Sequence, residues 1–243
     1  MKLLDLTFPS PAENVACDEA LLDWCETGQG EELLRFWESP AHFVVVGYSG
    51  TVADEVDVAA CERRGIPIYR RCSGGGAVVQ GPGCLNYALI LRITEQGPLR
   101  NITSANRFIM GQNRAAIESL DRISFTRTVA VRGHTDLCIG TLKFSGNSQR
   151  RRKNFLLFHG TFLSAFDLEL IGDVLRIPSK QPPYRMNRRH AEFLMNLNLP
   201  VNDLKAALQA VWNASAAPKD PPLNTIARLA EQKYSTRDWN QKF

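Results

Sequence analysis

The 243-residue sequence lacks a cysteine pair with the spacing of a zinc site, although it contains six cysteines. No CxxC pair occurs, which argues against a zinc knuckle. A signal peptide is also lacking, because the apolar run in the N-terminal stretch MKLLDLTFPSP is too short. Unpaired thiols in a chain without a signal peptide are typical of a reducing compartment, so we expect a cytoplasmic protein.

Long hydrophobic runs, internal repeats and low-complexity tracts are absent as well. No run approaches the roughly 18–20 apolar residues that a membrane-spanning helix needs. The net charge of +4 is a mild excess, below that of a typical nucleic-acid-binding domain. We therefore expect neither a membrane nor a nucleic-acid partner. Two basic clusters remain, which fit an acidic partner or an anionic ligand equally well: Arg150–Lys153, and Arg185 with Arg188 and Arg189.

Helical and strand-like segments alternate along the chain, which predicts an α+β fold. Few strands are separated by a helix long enough for a parallel crossover, so we expect a mixed, mainly antiparallel sheet with packed helices. The length suits one catalytic domain over residues 1–243, with 199–243 as its C-terminal helical part. The predicted helices are Asn14–Glu26, Asp54–Arg64, Thr103–Leu120, Phe166–Leu175, Val201–Trp212 and Leu223–Lys233. The predicted strands are Leu33–Trp37, Phe43–Val46, Ile66–Arg70, Thr128–Val131, Leu137–Thr141 and Phe155–Phe162.

The stretch Arg70–Asn86, RRCSGGGAVVQGPGCLN, lies between two apolar runs. Its glycines Gly74–Gly76 let the backbone approach a ligand closely, and their N–H groups can form an anion-binding cradle. Arg70 could hold a carboxylate through two hydrogen bonds, and Arg71 could pair with a phosphate or an internal acid. On composition alone, a hairpin with a mobile glycine turn explains this stretch equally well.

A second stretch, Asp136–Phe162, contains a lysine motif and a His-Gly-Thr segment. Together the two stretches resemble the lipoate–protein ligase A family, within the wider group that also holds biotin–protein ligases and octanoyltransferases. The order and spacing of the motifs match across most of the chain. The matching residues are Arg70, Arg71, Ser73, Gly74, Gly75, Gly76, Ala77, Val78, Leu85, Asn86, then Lys143, Phe144, Ser145, Gly146, Asn147, Ser148, Gln149, and finally His159, Gly160 and Thr161.

The resemblance implies a class II biotin/lipoate ligase-like catalytic domain without the C-terminal accessory domain of two-domain relatives. It also implies ATP-dependent lipoylation, in which lipoic acid, ATP and Mg²⁺ give a lipoyl-AMP intermediate and a lysine of a lipoyl carrier protein accepts the lipoyl group. The expected carrier is an acidic lipoyl domain or an H-protein-like protein, and a separate accessory-domain polypeptide is a further expected partner. No metal site is expected beyond Mg²⁺ held through phosphates.

The resemblance also assigns the site residues. Lys143 is the expected catalytic residue, as a cation that stabilises the negative charge of both half-reactions. We expect it at the head of the KFSG turn, although on residue type alone an exposed lysine at the end of a strand is the favoured interpretation. Asp136 is expected to contact the adenylate or to form a turn, and His159 to line the site or the core. Lipoate and ATP contacts are expected from Arg70, Arg71, Ser73, Gly74, Gly75, Gly76, Ala77, Val78, Gln80, Asn86, Asp136, Ser145, Gly146, His159, Gly160 and Thr161.

Two positions depart from the family pattern. Gln80 stands where many members have a histidine, and glutamine cannot accept a charge-changing proton. General-base chemistry is therefore not expected at this position. Ser49-Gly50 stand where the family has an Asn-Gln pair near the ligand pocket.

Alternative functions remain. Octanoyl transfer or lipoyl amidotransfer needs a cysteine to hold a thioester. Cys72, Cys84 and Cys138 do not match the cysteine positions of the transferase relatives, so we expect them to be buried structural thiols. Biotin ligation is disfavoured because the basic Gly-Arg-Gly loop is absent. A non-catalytic acyl-binding subunit is the third alternative, and the intact Lys143 argues against it.

Overall fold

The computed structural model describes residues 1–120, 128–178 and 180–243. Its strands are β1 (Lys2–Asp5), β2 (Leu33–Trp37), β3 (Phe43–Val46), β4 (Ile68–Arg70), β5 (Val78–Gln80), β6 (Cys84–Arg92), β7 (Val129–Arg132), β8 (Asp136–Ile139), β9 (Leu142–Arg151) and β10 (Phe155–Leu163). Its helices are α1 (Pro11–Glu26), α2 (Val52–Glu55), α3 (Val58–Arg64), α4 (Ile102–Glu118), α5 (Leu168–Val174), α6 (His190–Phe193), α7 (Val201–Trp212), α8 (Leu223–Leu229) and α9 (Arg237–Asn240). A 3₁₀ turn at Pro183–Arg185 and a π-helical turn at Ala230–Tyr234 complete these elements.

The described strands form two sheets. A seven-stranded sheet has the order β1-β2-β6-β10-β9-β8-β7, and a three-stranded sheet has the order β4-β3-β5. Only the pairs β1–β2 and β3–β4 are parallel within the described residues. The predicted α+β fold with a mixed, mainly antiparallel sheet is therefore confirmed. None of the described helices is both long and apolar enough to cross a membrane.

The interior strand β6 is buried on both faces, which explains its nearly unbroken apolar sequence. Leu89 packs in one cluster with Ile109 of α4 and Leu208 of α7. Ile90 points the other way and packs in a second cluster with Leu21 of α1. Each such fully buried side chain contributes roughly 1.5–3 kcal/mol to folding. This two-sided burial fixes the strand that carries Asn86 and Tyr87 to the ligand cavity described below.

The helix predicted over Asp54–Arg64 is two short helices, α2 and α3. The break lies at Val56, which leaves helical geometry to form a β-bridge with Leu175. The side chain of Asp57 then caps α3 by accepting a hydrogen bond from the Ala60 N–H at 2.9 Å. Local helical propensity is overridden here by a tertiary strand contact.

Lys143 lies in strand β9 and not at the head of a turn, so that prediction was wrong. The turn precedes it, at Gly140, whose φ of 60° belongs to the left-handed region. Strand β9 pairs with β8 at its start and with β10 over most of its length. Gly146 stays in this strand and leaves space for the lysine side chain, since a β-carbon there would lie 2.8 Å from the Lys143 Nζ.

The basic run Arg150–Lys153 is not a free loop. Arg150 and Arg151 close strand β9, and their guanidinium groups bind main-chain oxygens. Arg150 Nη1 donates to the Cys72 carbonyl at 2.7 Å, and Arg151 Nη2 donates to the Leu99 carbonyl at 2.7 Å. These arginines hold the end of strand β9 against the segments that carry Cys72 and Leu99.

Candidate functional site

A cavity of about 790 Å³ is lined by residues of both sheets. It brings together residues of both motif stretches, although Gly76 and Lys143 are 67 positions apart in sequence. Arg70, Ser73 and Gly74 lie outside its lining. The predicted site residues that line it are Arg71, Gly75, Gly76, Ala77, Val78, Gln80, Asn86, Asp136, Lys143, Ser145, Gly146, His159, Gly160 and Thr161.

The glycine loop Gly74–Gly76 is held by its carbonyl groups. Arg71 Nη2 donates to the carbonyls of Gly74 at 2.5 Å and Gly76 at 3.0 Å, and Ser148 Oγ donates to the Gly74 carbonyl at 2.8 Å. The loop N–H groups donate to no protein acceptor in the described part of the chain. Gly75 and Gly76 line the cavity, and two consecutive unpaired N–H groups there suit an anion.

The side chain of Glu55 also stabilises this loop. The carboxylate of Glu55 accepts a hydrogen bond from the Ala77 N–H, directly after the glycines. Burial lowers the pKa of Arg71 to about 10, and the charge of Glu55 acts in the opposite direction. Arg71 therefore stays protonated at neutral pH and keeps its hold on the loop carbonyls.

Arg70 does not line the cavity, and its guanidinium is occupied by main-chain oxygens. Nη1 donates to the carbonyls of Gly47 at 2.8 Å and Gly50 at 2.7 Å. Nε and Nη2 donate to the carbonyls of Trp239 at 3.0 Å and Asn240 at 3.1 Å. This placement contradicts the predicted bidentate carboxylate contact. Arg70 instead ties two distant segments to the strand that leads into the glycine loop.

Lys143 lines the cavity and forms an ion pair with Asp136, with 2.8 Å between Nζ and Oδ1. The hydroxyl of Tyr184 donates to Oδ2 of the same carboxylate at 2.7 Å. Asp136 begins strand β8, whose antiparallel pairing with β9 brings the acid and the lysine together. The lysine side chain keeps 24% of its surface exposed, so the fixed amine remains accessible to a ligand.

His159 lines the cavity and is also fully hydrogen-bonded, so it combines both predicted roles. Its Nδ1 lies 2.7 Å from Asp18 Oδ2, and its Nε2 lies 2.5 Å from Ser73 Oγ. The other oxygen of Asp18 accepts from Arg35 Nη1 at 2.7 Å. Burial tends to raise the pKa of Asp18, but the hydrogen bond from His159 and the charge of Arg35 outweigh it, and the pKa is lowered. An ionised Asp18 thus anchors the histidine.

Gln80 belongs to a closed group of polar side chains. Its Nε2 donates to Thr161 Oγ1 at 3.1 Å, and its Oε1 accepts from Asn86 Nδ2 at 2.8 Å. Thr161 in turn donates to Asn86 Oδ1 at 2.8 Å. The three side chains orient one another at the cavity wall and contain no proton acceptor of the histidine type.

Asn147 of the lysine motif joins strand β9 to its neighbours. Its Nδ2 donates to the Thr135 carbonyl at 2.6 Å, and its Oδ1 accepts from the Tyr87 hydroxyl at 2.6 Å. Gly160 lies opposite, and a β-carbon there would overlap Asn147 Oδ1. The glycine of the His-Gly-Thr segment is therefore required by this asparagine.

The segment 176–189 lies against the cavity, with Ser179 outside the described residues. Its basic charge is the one sequence feature that points to this placement. His190, just after it, also lines the cavity. Burial, followed by the charges of Arg185 and Lys143, lowers the pKa of His190 to about 4. The lining residues of the segment are Arg176, Pro178, Lys180, Gln181, Pro182, Pro183 and Arg185.

The cysteines lie elsewhere. All six belong to the described residues, all are buried, and none lines the cavity. This confirms the predicted burial of Cys72, Cys84 and Cys138. Burial raises the pKa of the thiols, so that little thiolate exists at neutral pH. The pKa rises to about 12 for Cys17, Cys25 and Cys72, and it is also raised for Cys61, Cys84 and Cys138.

Comparison with known protein families gives one match, to the lipoyl protein ligase A/B catalytic domain, over residues 10–213. Among curated proteins, the chain is 26% identical to the octanoyltransferase LipM of Geobacillus kaustophilus, over 99% of this chain and 98% of that protein. It is also 26% identical to the lipoate-protein ligase A subunit 1 of Thermoplasma acidophilum, over 98% of this chain and 95% of that protein.

Solved structures show the same fold. A bi-partite lipoate protein ligase of Thermoplasma acidophilum, studied with its E2 lipoyl domain, superposes with a TM-score of 0.82 at 23% identity, over 99% of this chain and 95% of that one. A T. acidophilum protein with bound lipoic acid gives 0.82 at 23% identity, over 99% and 98%. A lipoate-protein ligase A bound with ATP gives 0.81 at 24% identity, over 99% and 98%.

Proposed function

This chain belongs to the lipoyl protein ligase A/B catalytic domain family, and from that premise we propose that it is an ATP-dependent lipoate–protein ligase. It forms lipoyl-AMP from lipoate and ATP and transfers the lipoyl group to a lysine of a lipoyl carrier protein. The observation that carries the proposal is the placement of Lys143, whose amine lies in a cavity that no cysteine lines. A fixed cation without a thiol suits adenylation better than thioester chemistry.

In the first half-reaction, the lipoate carboxylate attacks the α-phosphorus of ATP and pyrophosphate leaves. Negative charge then increases on the phosphoryl oxygens, and donors aimed at it lower the barrier. The N–H groups of Gly75 and Gly76 and the ammonium group of Lys143 are suited to that role. Arg71 acts indirectly, because its hydrogen bonds to the loop carbonyls fix the loop in this conformation.

In the second half-reaction, the carrier lysine attacks the acyl carbon and AMP leaves. Charge now develops on the carbonyl oxygen, within reach of the same cation if the adenylate keeps its place. The chain Tyr184–Asp136–Lys143 holds that cation in one position before the substrates bind. Such pre-organisation avoids reorientation during the reaction, which is where much of the catalytic gain arises.

The cavity fits a nucleotide with its phosphates better than a resident metal ion. Unpaired loop N–H groups and Lys143 are donors for phosphate oxygens. Across residues 1–120, 128–178 and 180–243, no three His, Cys, Asp or Glu side chains converge as a metal site. We therefore propose that Mg²⁺ binds mainly through the phosphates, where it would neutralise their charge, with Asp136 as a lining carboxylate.

Substitution of Gly146 by alanine should displace the catalytic amine while leaving strand β9 intact. The added β-carbon would lie 2.8 Å from the Lys143 Nζ and 3.0 Å from its Cε. The end of a lysine side chain can move away, so the free energy of unfolding should change by less than about 1 kcal/mol. Pyrophosphate release should fall by roughly 10-fold or more, because the amine leaves its position. Pyrophosphate release at the rate of the parent protein would contradict this role of Gly146.

A second candidate function is octanoyl transfer or lipoyl amidotransfer, which the LipM name of a relative favours. That reaction requires a reactive thiol, since the acyl group is carried as a thioester. The cavity offers none, and burial raises the pKa of Cys72 to about 12. The residues around Lys143 therefore support the ligase function better than they support the transferase function.

The variants Cys72→Ser, Cys84→Ser and Cys138→Ser should each keep ATP-dependent lipoylation near the level of the unmodified protein. The reason is that all three thiols are buried away from the cavity. Intact-mass analysis of a lipoyl carrier domain measures the transfer. Loss of transfer in a folded variant, together with a trapped acyl-cysteine in the parent protein, would favour the transferase instead.

The partner we propose is an acidic lipoyl domain or an H-protein-like carrier, by analogy with the T. acidophilum ligase and its E2 lipoyl domain. A separate accessory polypeptide is a further proposal, which the name "subunit 1" of a relative supports. The decisive experiment incubates the purified chain with carrier, ATP, Mg²⁺ and lipoate. A carrier mass gain that requires ATP supports the ligase, and a gain without any added protein excludes an obligatory accessory subunit. A gain from an octanoyl-acyl carrier protein without ATP would overturn the proposal.

A further inference from the structure

Arg185 is a buried arginine with an unused hydrogen-bonding edge. Only 5% of its surface is exposed, and it lines the cavity. Its Nε donates to the Arg188 carbonyl at 3.1 Å. Its Nη2 is buried and has no hydrogen-bond partner among the described residues. Such an unsatisfied group is costly in a protein interior unless a ligand satisfies it.

The charge of Arg185 is not neutralised by an ion pair in the described part of the chain. Asp136, the carboxylate whose charge acts on it, is already paired with Lys143 at 2.8 Å and accepts from Tyr184 at 2.7 Å. Burial lowers the pKa of Arg185, yet a guanidinium remains protonated at neutral pH. Arg185 is therefore a buried positive charge whose N–H donors are not all used.

The guanidinium group is held in one orientation. Its carbon atom lies 4.7 Å from the centroid of the Phe193 ring, in a cation–π contact. The hydrogen bond from Arg185 Nε to the Arg188 carbonyl also fixes the guanidinium plane. His190 lines the same cavity, and its burial lowers its pKa so that it is neutral at pH 7. The charges of Arg185 and Lys143 also lower this pKa. Two cations therefore act on this part of the cavity.

Resting on the proposed ligase function, we propose that Arg185 binds phosphoryl oxygens of the nucleotide through its guanidinium group, in the cavity that Lys143 also lines. A planar guanidinium matches the tetrahedral phosphoryl group with paired hydrogen bonds. Two cations together suit the several negative charges of a triphosphate, which exceed the single charge of a carboxylate. Arg185 would neutralise the triphosphate on binding and the pyrophosphate as it leaves.

Calorimetric titration of the purified protein with ATP, adenosine and lipoate tests this inference, in Arg185→Gln, Arg185→Lys and the control Arg189→Gln. Arg189 belongs to the same segment, but it is exposed and pairs with Glu192 at the surface. We expect Arg185→Gln to weaken ATP binding by about 10- to 100-fold and to leave adenosine and lipoate unaffected. Arg185→Lys should recover only part of the affinity, since lysine cannot keep the paired geometry. Arg189→Gln should bind ATP as the parent does.

The other possible results of these titrations contradict either the role of Arg185 or the ligase proposal. Equal ATP affinity in a folded Arg185→Gln would overturn the assignment of Arg185 and leave the ligase proposal standing. Loss of lipoate binding with ATP binding retained would make the ligand a carboxylate, against the inference. No ATP binding by the parent protein would overturn the ligase proposal and this inference together. If Arg185→Gln does not fold, Arg185→Lys decides, and full affinity in that variant counts against the paired geometry.

Discussion

Replacing Lys143 with alanine should abolish most of the proposed ligase activity, because both half-reactions would lose the cation proposed to stabilise their transition states. Loss of a comparable oxyanion donor raises a barrier by roughly 3 kcal/mol, which corresponds to about 10²-fold or more in rate. Pyrophosphate release measures the first half-reaction, and transfer from preformed lipoyl-AMP measures the second. We expect both rates to fall.

A matched control is Lys219→Ala, which removes an exposed lysine outside the cavity and should leave both rates unchanged. Thermal unfolding separates catalysis from folding. The Lys143 amine is partly exposed, and Asp136 keeps its hydrogen bond from Tyr184 in the variant, so the melting temperature should change little. Pyrophosphate release at the parent rate would remove Lys143 from the catalytic role.

Replacing Gly47 with alanine should have the second largest effect. The added β-carbon would overlap the carbonyl oxygen of Gly75 and lie 2.9 Å from its carbonyl carbon and 3.2 Å from that of Gly74. Because the obstructing atoms are backbone, only a shift of the glycine loop can relieve the clash. A displacement of about 1 Å at a reacting site can cost about 10²-fold in rate. We expect that loss in pyrophosphate release, with destabilisation of roughly 1–3 kcal/mol.

Gly111→Ala supplies the control, since a β-carbon at that position of α4 meets no atom within 4 Å. Alanine is also the better helix former, so this variant should gain up to about 1 kcal/mol in stability at full activity. If Gly47→Ala released pyrophosphate as fast as Gly111→Ala, the close approach of the two backbones would have no bearing on catalysis.

The parts of the site that could be predicted from the sequence are those contained in short contiguous motifs. The glycine loop is an example, because consecutive glycines determine its local geometry. Lys143 does line the cavity, although it lies in strand β9 and not at the head of a turn. Arg70 shows the limit of that reasoning. Its residue type suited a carboxylate, but carbonyl groups about 170 positions away occupy it.

Helix α1 shows the same limit in the core. Its acidic residues favour an amphipathic helix with a solvated face. The helix is instead buried on nearly all sides, and its acids have internal partners. Asp18 binds Arg35 and His159, and Glu19 accepts hydrogen bonds from Lys233 and Tyr234. Charge pairing across distant elements leaves no periodic signal in the sequence, which is why Asp18 was not predicted as a site residue.

The contacts of Arg70 also bear on how the chain folds during its synthesis. Its carbonyl partners at Trp239 and Asn240 follow it by 169 and 170 positions. A ribosome must therefore translate nearly all of the described sequence before this buried guanidinium has all of its acceptors. Until then, the strand that leads into the glycine loop lacks its contacts to the C-terminal segment. Closure of such long-range contacts is slow compared with local folding. We therefore expect this strand to be fixed late in biosynthesis, after Trp239 and Asn240 have been translated.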